Sequence, residues 1–111
     1  MRRIASSLLP ALSLAILLLA LPAFTRAQGN ADKTYKTNCT LCHGPDGSGS
    51  TPSGKALKAE DLRSEVVQKK SDSELTASIT GGKGKMPAFG KKLKPDDIQQ
   101  LVAFIRALPK K

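Results

Sequence analysis

Beyond residue 27 the apolar residues of this chain recur at helical spacing, and no stretch alternates as a half-buried strand would. Ala31, Tyr35, Asn38, Cys39 and Cys42 fall at i, i+4, i+7, i+8 and i+11, one face of a helix. Asn30 is a suitable N-cap for that helix, and Gly44-Pro45 stops it after His43. Leu62, Val66 and Val67 are the apolar positions of 59–70, which reads as a short helix or an irregular turn. Ser71-Asp72-Ser73-Glu74 is a capping box. It predicts a helix from Asp72 to about Thr80, with Leu75 and Ile79 inward and Gly81 closing it in the left-handed region. The broadest apolar face belongs to the last helix, through Ile98, Leu101, Val102, Phe104, Ile105 and Leu108. Pro95 suits its first position, Asp96 and Asp97 complement its positive end, and Lys94 is a poor N-cap. The fold class expected is all-α, without internal repeats.

The first 27 residues differ in kind. Arg2 and Arg3 precede an apolar run, Leu8–Leu21, and Thr25-Arg26-Ala27 offers the small residues of a cleavage site. This is the pattern of a secretory signal peptide over 1–27, with one domain over 28–111. An uncleaved anchor is the alternative, because Ile4–Phe24 approaches the roughly 20 residues that span a bilayer. Pro10, Pro22 and the serines weaken it. Of the 111 residues, 84 follow the leader, enough for one small domain. They keep 15 of the 18 basic residues and all 9 acidic ones, a net +6. Tyr35, Phe89 and Phe104 are their only aromatics, a thin core that a large, flat, covalently held apolar cofactor would fill out.

Cys39-Thr40-Leu41-Cys42-His43 points to that cofactor. Two thiols about one helical turn apart reach the two vinyl groups on one porphyrin edge, and the adjacent imidazole meets the iron: the attachment signature of c-type haem. A structural zinc site wants four Cys or His ligands, and this chain has only Cys39, Cys42 and His43. A thioredoxin-like pair would sit in a βαβ pattern, which is absent. A disulfide between cysteines so close would stabilise little. Gly49–Lys55 superficially suggests a phosphate-binding loop, but Ala56 stands where Ser or Thr must ligate magnesium, and no strand precedes it. The Gly/Pro/Ser-rich 44–58 segment is instead expected to wrap the proximal side of the haem as a loop. Pro52 or a neighbouring carbonyl is the expected acceptor for the second His43 nitrogen.

The iron's remaining position follows by elimination. His43 is the single histidine, and Met1 leaves with the leader, so Met86 in Gly84-Lys85-Met86-Pro87 is the one thioether left. Pro87 stiffens the backbone beside it. Lys83 and Lys85 are the other ligands within reach. Asn38-Cys39-Thr40 also matches a glycosylation sequon, but a packed helix beside a haem is a poor acceptor.

Through these residues the chain resembles the class I cytochromes c, the small bacterial single-haem type, over nearly all of 30–109. The resemblance rests on Cys39–His43, on Gly84-Lys85-Met86-Pro87-Ala88-Phe89 and on Leu101-Val102-Ala103-Phe104-Ile105. It implies three to four helices wrapped around one haem c, with Cys39 and Cys42 covalently bonded, His43 as proximal and Met86 as distal iron ligand. It also implies that the first and last helices cross, Ala31 and Tyr35 meeting Leu101 and Phe104. Ala31 stands where the family commonly has glycine. The implied activity is one-electron transfer in the periplasm after export, not enzymatic catalysis.

Lys83, Lys85, Lys91, Lys92 and Lys94 gather around Met86, either as a collar that steers the carrier to acidic docking faces on redox partner proteins or as a solvated loop. Nucleic acid accounts poorly for this charge, since no recognition motif is present. Membrane contact is expected only through a redox complex or an uncleaved signal anchor. Three functions remain open: a diffusible electron carrier; a haem subunit held tightly by a periplasmic dehydrogenase or oxidase; and a haem enzyme or sensor whose Met86 dissociates.

Overall fold

The computed structural model describes residues 22–110. Most of the expected leader, up to residue 21, lies outside the described residues. Six helices follow one another: α1 Pro22–Asn38, α2 Thr40–His43, α3 Pro52–Leu57, α4 Glu65–Gln68, α5 Asp72–Gly81 and α6 Pro95–Ala107. Among the described residues there is no strand, only an isolated bridge between Lys83 and Met86. The all-α expectation holds, with six helices in place of three to four, because single capped turns carry too little periodicity to stand out in a sequence.

α1 and α6 form the frame. Tyr35 and Leu101 are each 1 % exposed, and Ala31, Ile98, Val102 and Ile105 are buried with them. The Tyr35 and Phe104 rings stack with centroids 4.7 Å apart, tilted by 32°. This is the helix crossing that the family resemblance implies, and the aromatic pair adds about 0.5–1.5 kcal/mol beyond the area it buries. α5 lies against α6 through Leu75 and Ile79, and Leu62, Val67, Phe89 and Leu108 complete one core.

Several boundaries differ from the sequence expectation. Helix α1 does not start at Ala31: it runs from Pro22 straight through Gly29 and Asn30, because residues upstream supply acceptors for the N–H groups that Asn30 would otherwise have capped. The expected continuous helix to His43 breaks at Cys39, although Cys39 N still donates to Tyr35 O (2.9 Å) and His43 N to Cys39 O (2.9 Å). Residues 52–57, expected as loop, form α3. Thr51 caps that helix, its hydroxyl accepting from Gly54 N (2.9 Å), and Pro52 follows at the first position. Ser64 caps α4 in the same way, burying Val67 and leaving Val66 68 % exposed.

The capping box of α5 forms as expected, with Ser71 N donating to Glu74 Oε2 (2.6 Å) and Glu74 N to Ser71 Oγ (3.1 Å). Gly81 stays helical, however, and Gly82 (φ +76°) ends α5. At the start of α6 the poor cap Lys94 is compensated by Asp97, whose carboxylate accepts from Lys94 N (3.2 Å).

Candidate functional site

Two segments of the chain, distant in sequence, meet in one cleft. The first begins at α2. Its single turn is too short to persist alone, and neighbours hold it. Tyr35 Oη donates to Gly44 O (2.7 Å) in the interior, tying α1 to the residue after His43. Thr51 Oγ1 donates to Leu41 O (2.6 Å) and Cys42 O (3.2 Å). α3 then lies so close that a Cβ at Gly54 would overlap both Cys42 O and Gly49 O. Only glycine fits there, although alanine is the better helix former.

After α3 the chain returns beneath the motif, with Leu62 N donating to Gly47 O (2.8 Å). This return brings Glu60 O to within 3.1 Å of His43 Nδ1. A carbonyl only accepts, so Nδ1 carries the proton and Nε2 is left with its lone pair. Of the expected acceptors, neither Pro52, which starts α3, nor a carbonyl beside it is used: the partner is the carbonyl of Glu60, eight residues further on. Burial lowers the His43 pKa below its usual value, a shift that the Glu60 carbonyl partly opposes. The shift favours the neutral ring, the form in which an imidazole binds a metal. Burial, and then the neighbouring Cys42, push the Cys39 thiol up to about 11. The thiol therefore stays neutral at pH 7, and a thioether, with no proton to lose, is neutral as well. Burial also raises the Tyr35 hydroxyl, keeping it a hydrogen-bond donor throughout the physiological range.

The second segment is the Met86 loop. Lys83 N donates to Met86 O (3.1 Å) and Met86 N to Lys83 O (2.9 Å), closing a tight turn. Gly82 enters it at positive φ, and a Cβ there would stand 2.7 Å from Met86 O. The loop is fastened to α5 by Phe89 N donating to Ile79 O (2.9 Å) and Gly90 N to Thr80 O (3.0 Å), with the Phe89 ring buried. Met86 is half-buried and packs against the core.

Cys39, Cys42, His43 and Met86 all line a single cleft of about 590 Å³, within the usual range for a cofactor or ligand site. Cys39, His43 and Met86 also border a mainly apolar recess of about 60 Å³, with Leu62, Leu75, Ile79, Leu101 and Ile105 on its walls. Among the described residues no group of three or more His, Cys, Asp or Glu is arranged to hold a bare metal ion. A haem fits this donor set: an imidazole with Nε2 free, a neutral thioether, two thiols on one edge and an apolar floor. Of the five collar lysines, Lys83 and Lys85 stand at the mouth of the cleft, joined by Lys58. Lys91, Lys92 and Lys94 are exposed further along, with Lys92 Nζ 6.0 Å from the Phe89 ring centroid. Two features escape a reading of the sequence. Leu41 (74 % exposed) and Leu57 (41 % exposed) give the mouth an apolar lip, and Glu60 contributes through its backbone.

Known proteins share this sequence and this geometry. The sequence profile of the family described as "Cytochrome C oxidase, cbb3-type, subunit III" matches residues 26–105. A cytochrome c6 of Gloeothece citriformis is 35 % identical over 106 residues, covering 95 % of this chain and 93 % of the relative. A cytochrome c6 of a Nostoc species is 32 % identical, covering 95 % and 92 %. Among solved structures, the c-type cytochrome KustC0563 superimposes with a TM-score of 0.67 at 34 % identity, covering 73 % of this chain and 98 % of its own.

Proposed function

The chain belongs to the small class I c-type cytochromes, and on that premise we propose that it is an exported carrier whose haem iron is held between His43 and Met86. It contains one covalently bound haem c, transfers electrons rather than acting as an enzyme, and exchanges them with redox partner proteins. One observation supports the ligand set above all: the lone histidine and the only methionine after residue 1, distant in sequence, line the same cleft as both cysteines.

Bound haem supplies a one-electron Fe(III)/Fe(II) couple. The protein's share is positional and electrostatic. Cys39 and Cys42 would hold the haem through thioethers. His43 presents Nε2 because Nδ1 is engaged by Glu60 O. Met86 would add a neutral sulfur, and Leu62, Leu75, Ile79, Leu101 and Ile105 would offer the haem apolar surface. Neutral ligation and burial both favour the less charged ferrous state. With His43 and Met86 both holding the iron, a bound haem would offer a substrate no open position. Lys58, Lys83 and Lys85 around the mouth would steer the carrier to acidic faces on its partners.

Export rests on the basic start and apolar run of residues 1–27, removed by cleavage near Ala27. The destination proposed is the periplasm. No helix among the described residues is long and apolar enough to cross a membrane. A second reading is a haem subunit held by an oxidase, favoured by the match of residues 26–105 to a family of oxidase subunits. Stoichiometric co-purification at high salt would select it over the diffusible carrier.

The deciding experiment is spectroscopic. The pyridine haemochrome should be of the two-thioether type, and the ferric protein should show the weak red-end band of sulfur ligation. Met86→Ala should keep the haem, lose that band and bind cyanide or carbon monoxide. An unchanged ferric spectrum in that variant would rule out Met86 as ligand.

A further inference from the structure

The imidazole of His43 is oriented by a carbonyl, and that carbonyl belongs to a residue whose side chain is itself tethered. Both carboxylate oxygens of Glu60 reach Lys70 Nζ, at 3.2 and 3.3 Å. Lys70 is not a free surface lysine: its side chain is 21 % exposed, and with Glu60 it borders the apolar recess that His43 and Met86 also line. Its backbone is fixed in turn. Arg106, on α6, donates through Nη2 to Lys70 O, through Nη1 to Gln68 O (2.8 Å) and through Nε to Asp72 Oδ1 (3.0 Å). A continuous chain of polar contacts thus runs from the C-terminal helix through Lys70 and Glu60 to the ring of His43.

We propose that Lys70 and Glu60 are positioning residues that hold the Glu60 carbonyl on His43 Nδ1, an assignment resting on the reading that His43 ligates the iron. Glu60 sits in the non-helical return segment between α3 and α4, where no helical ladder fixes the direction of its carbonyl. Ala59 N donates to Gly54 O and Leu62 N to Gly47 O, fixing the segment on either side of Glu60. The side-chain tether to Lys70 then restrains the peptide between them. An ion pair with a half-exposed partner adds little to global stability. Its effect here is directional: the strength of the Nδ1–H···O bond governs how electron-rich the imidazole is toward a metal.

The test uses ferric and ferrous holoprotein of the native chain, Lys70→Gln, Glu60→Gln, the double variant and Lys70→Arg. The readouts are solvent exchange of the His43 Nδ1 proton by NMR and the midpoint potential. Glu60→Gln keeps the carbonyl and removes only the tether, so it remains informative should Lys70→Gln fold poorly. Both single variants should exchange the ring proton at least about threefold faster, the expected scale for loss of one weak tether. The double variant should be no faster than either single one, and Lys70→Arg should restore native exchange. A purely electrostatic role would shift the potential in opposite directions in the two variants and leave exchange unchanged; that result, or faster exchange in only one of them, overturns the proposal. Loss of iron-shifted His43 ring signals in the native protein would instead refute the ligand reading itself.

Discussion

The two walls of the cleft are held by different means. The His43 wall is made of backbone pressed on backbone: α3 sits against α2 at Gly54, Thr51 bonds two carbonyls of the motif, and Glu60 O takes the ring proton. The Met86 wall is a four-residue turn closed by two hydrogen bonds and fastened to the end of α5, with Lys83, Gly84 and Lys85 exposed. Contacts on the first wall join α1, α2, α3 and the return segment at Glu60, whereas those on the second lie within the Met86 turn and the end of α5. A wall assembled from many elements opens only with the whole fold, while a local loop can open by itself. On the proposed ligand set, His43 should therefore be a condition of maturation, and Met86 a condition only of potential and closure.

The largest test of that contrast is His43→Ala, which should yield no normal holoprotein on export into a haem-attaching host, whereas Met86→Ala should still yield red protein. Haem content by pyridine haemochrome checks both, and equal yields would erase the distinction. Next come two glycines. Gly54→Ala should destabilise by about 3 kcal/mol or more, since its Cβ meets backbone that cannot retreat. Gly84→Ala should be lowered by only about 1–2 kcal/mol, because its added Cβ meets nothing and the strain is that of positive φ alone. Denaturant unfolding of the two holoproteins measures the gap.

Tyr35→Phe is a smaller perturbation. It keeps the ring against Phe104 but strips Gly44 O of its buried donor, a loss of about 1–2 kcal/mol. Its melting temperature should fall with no change in the ferric spectrum.

The mildest test is acid. His43 has a lowered folded pKa, so below its ordinary 6.5 the unfolded chain binds the extra proton first. Its contribution is complete above pH 6.5 and is lost as pH falls below it. Haem-free protein should accordingly become easier to unfold on acidification from about pH 7, and iron ligation should move the loss to lower pH. Chemical denaturation across that range would contradict this if the haem-free chain grew more stable in acid.

Much of this was legible in the sequence, and the parts that were not share one character. The haem c that the family carries is expected at adjacent residues, Cys39, Cys42 and His43, a motif of five positions. The capping box at Ser71 and the apolar face of α6 are also local, because helical period and capping chemistry act over three or four residues. The pairing of Ala31 and Tyr35 with α6 was readable through the family resemblance. α3 was expected as loop, because glycine, proline and serine dominate 44–58. The Glu60 acceptor left no trace. Every residue but proline presents the same N–H and C=O, so no side chain marks which carbonyl will meet an imidazole. Only the return of the chain beneath α2 decides that, as only packing decides that Gly54 must remain bare and that Met86 faces the same cleft as His43. Side-chain chemistry and short-range period were written in the order of the residues; the backbone partners were chosen by the folded shape.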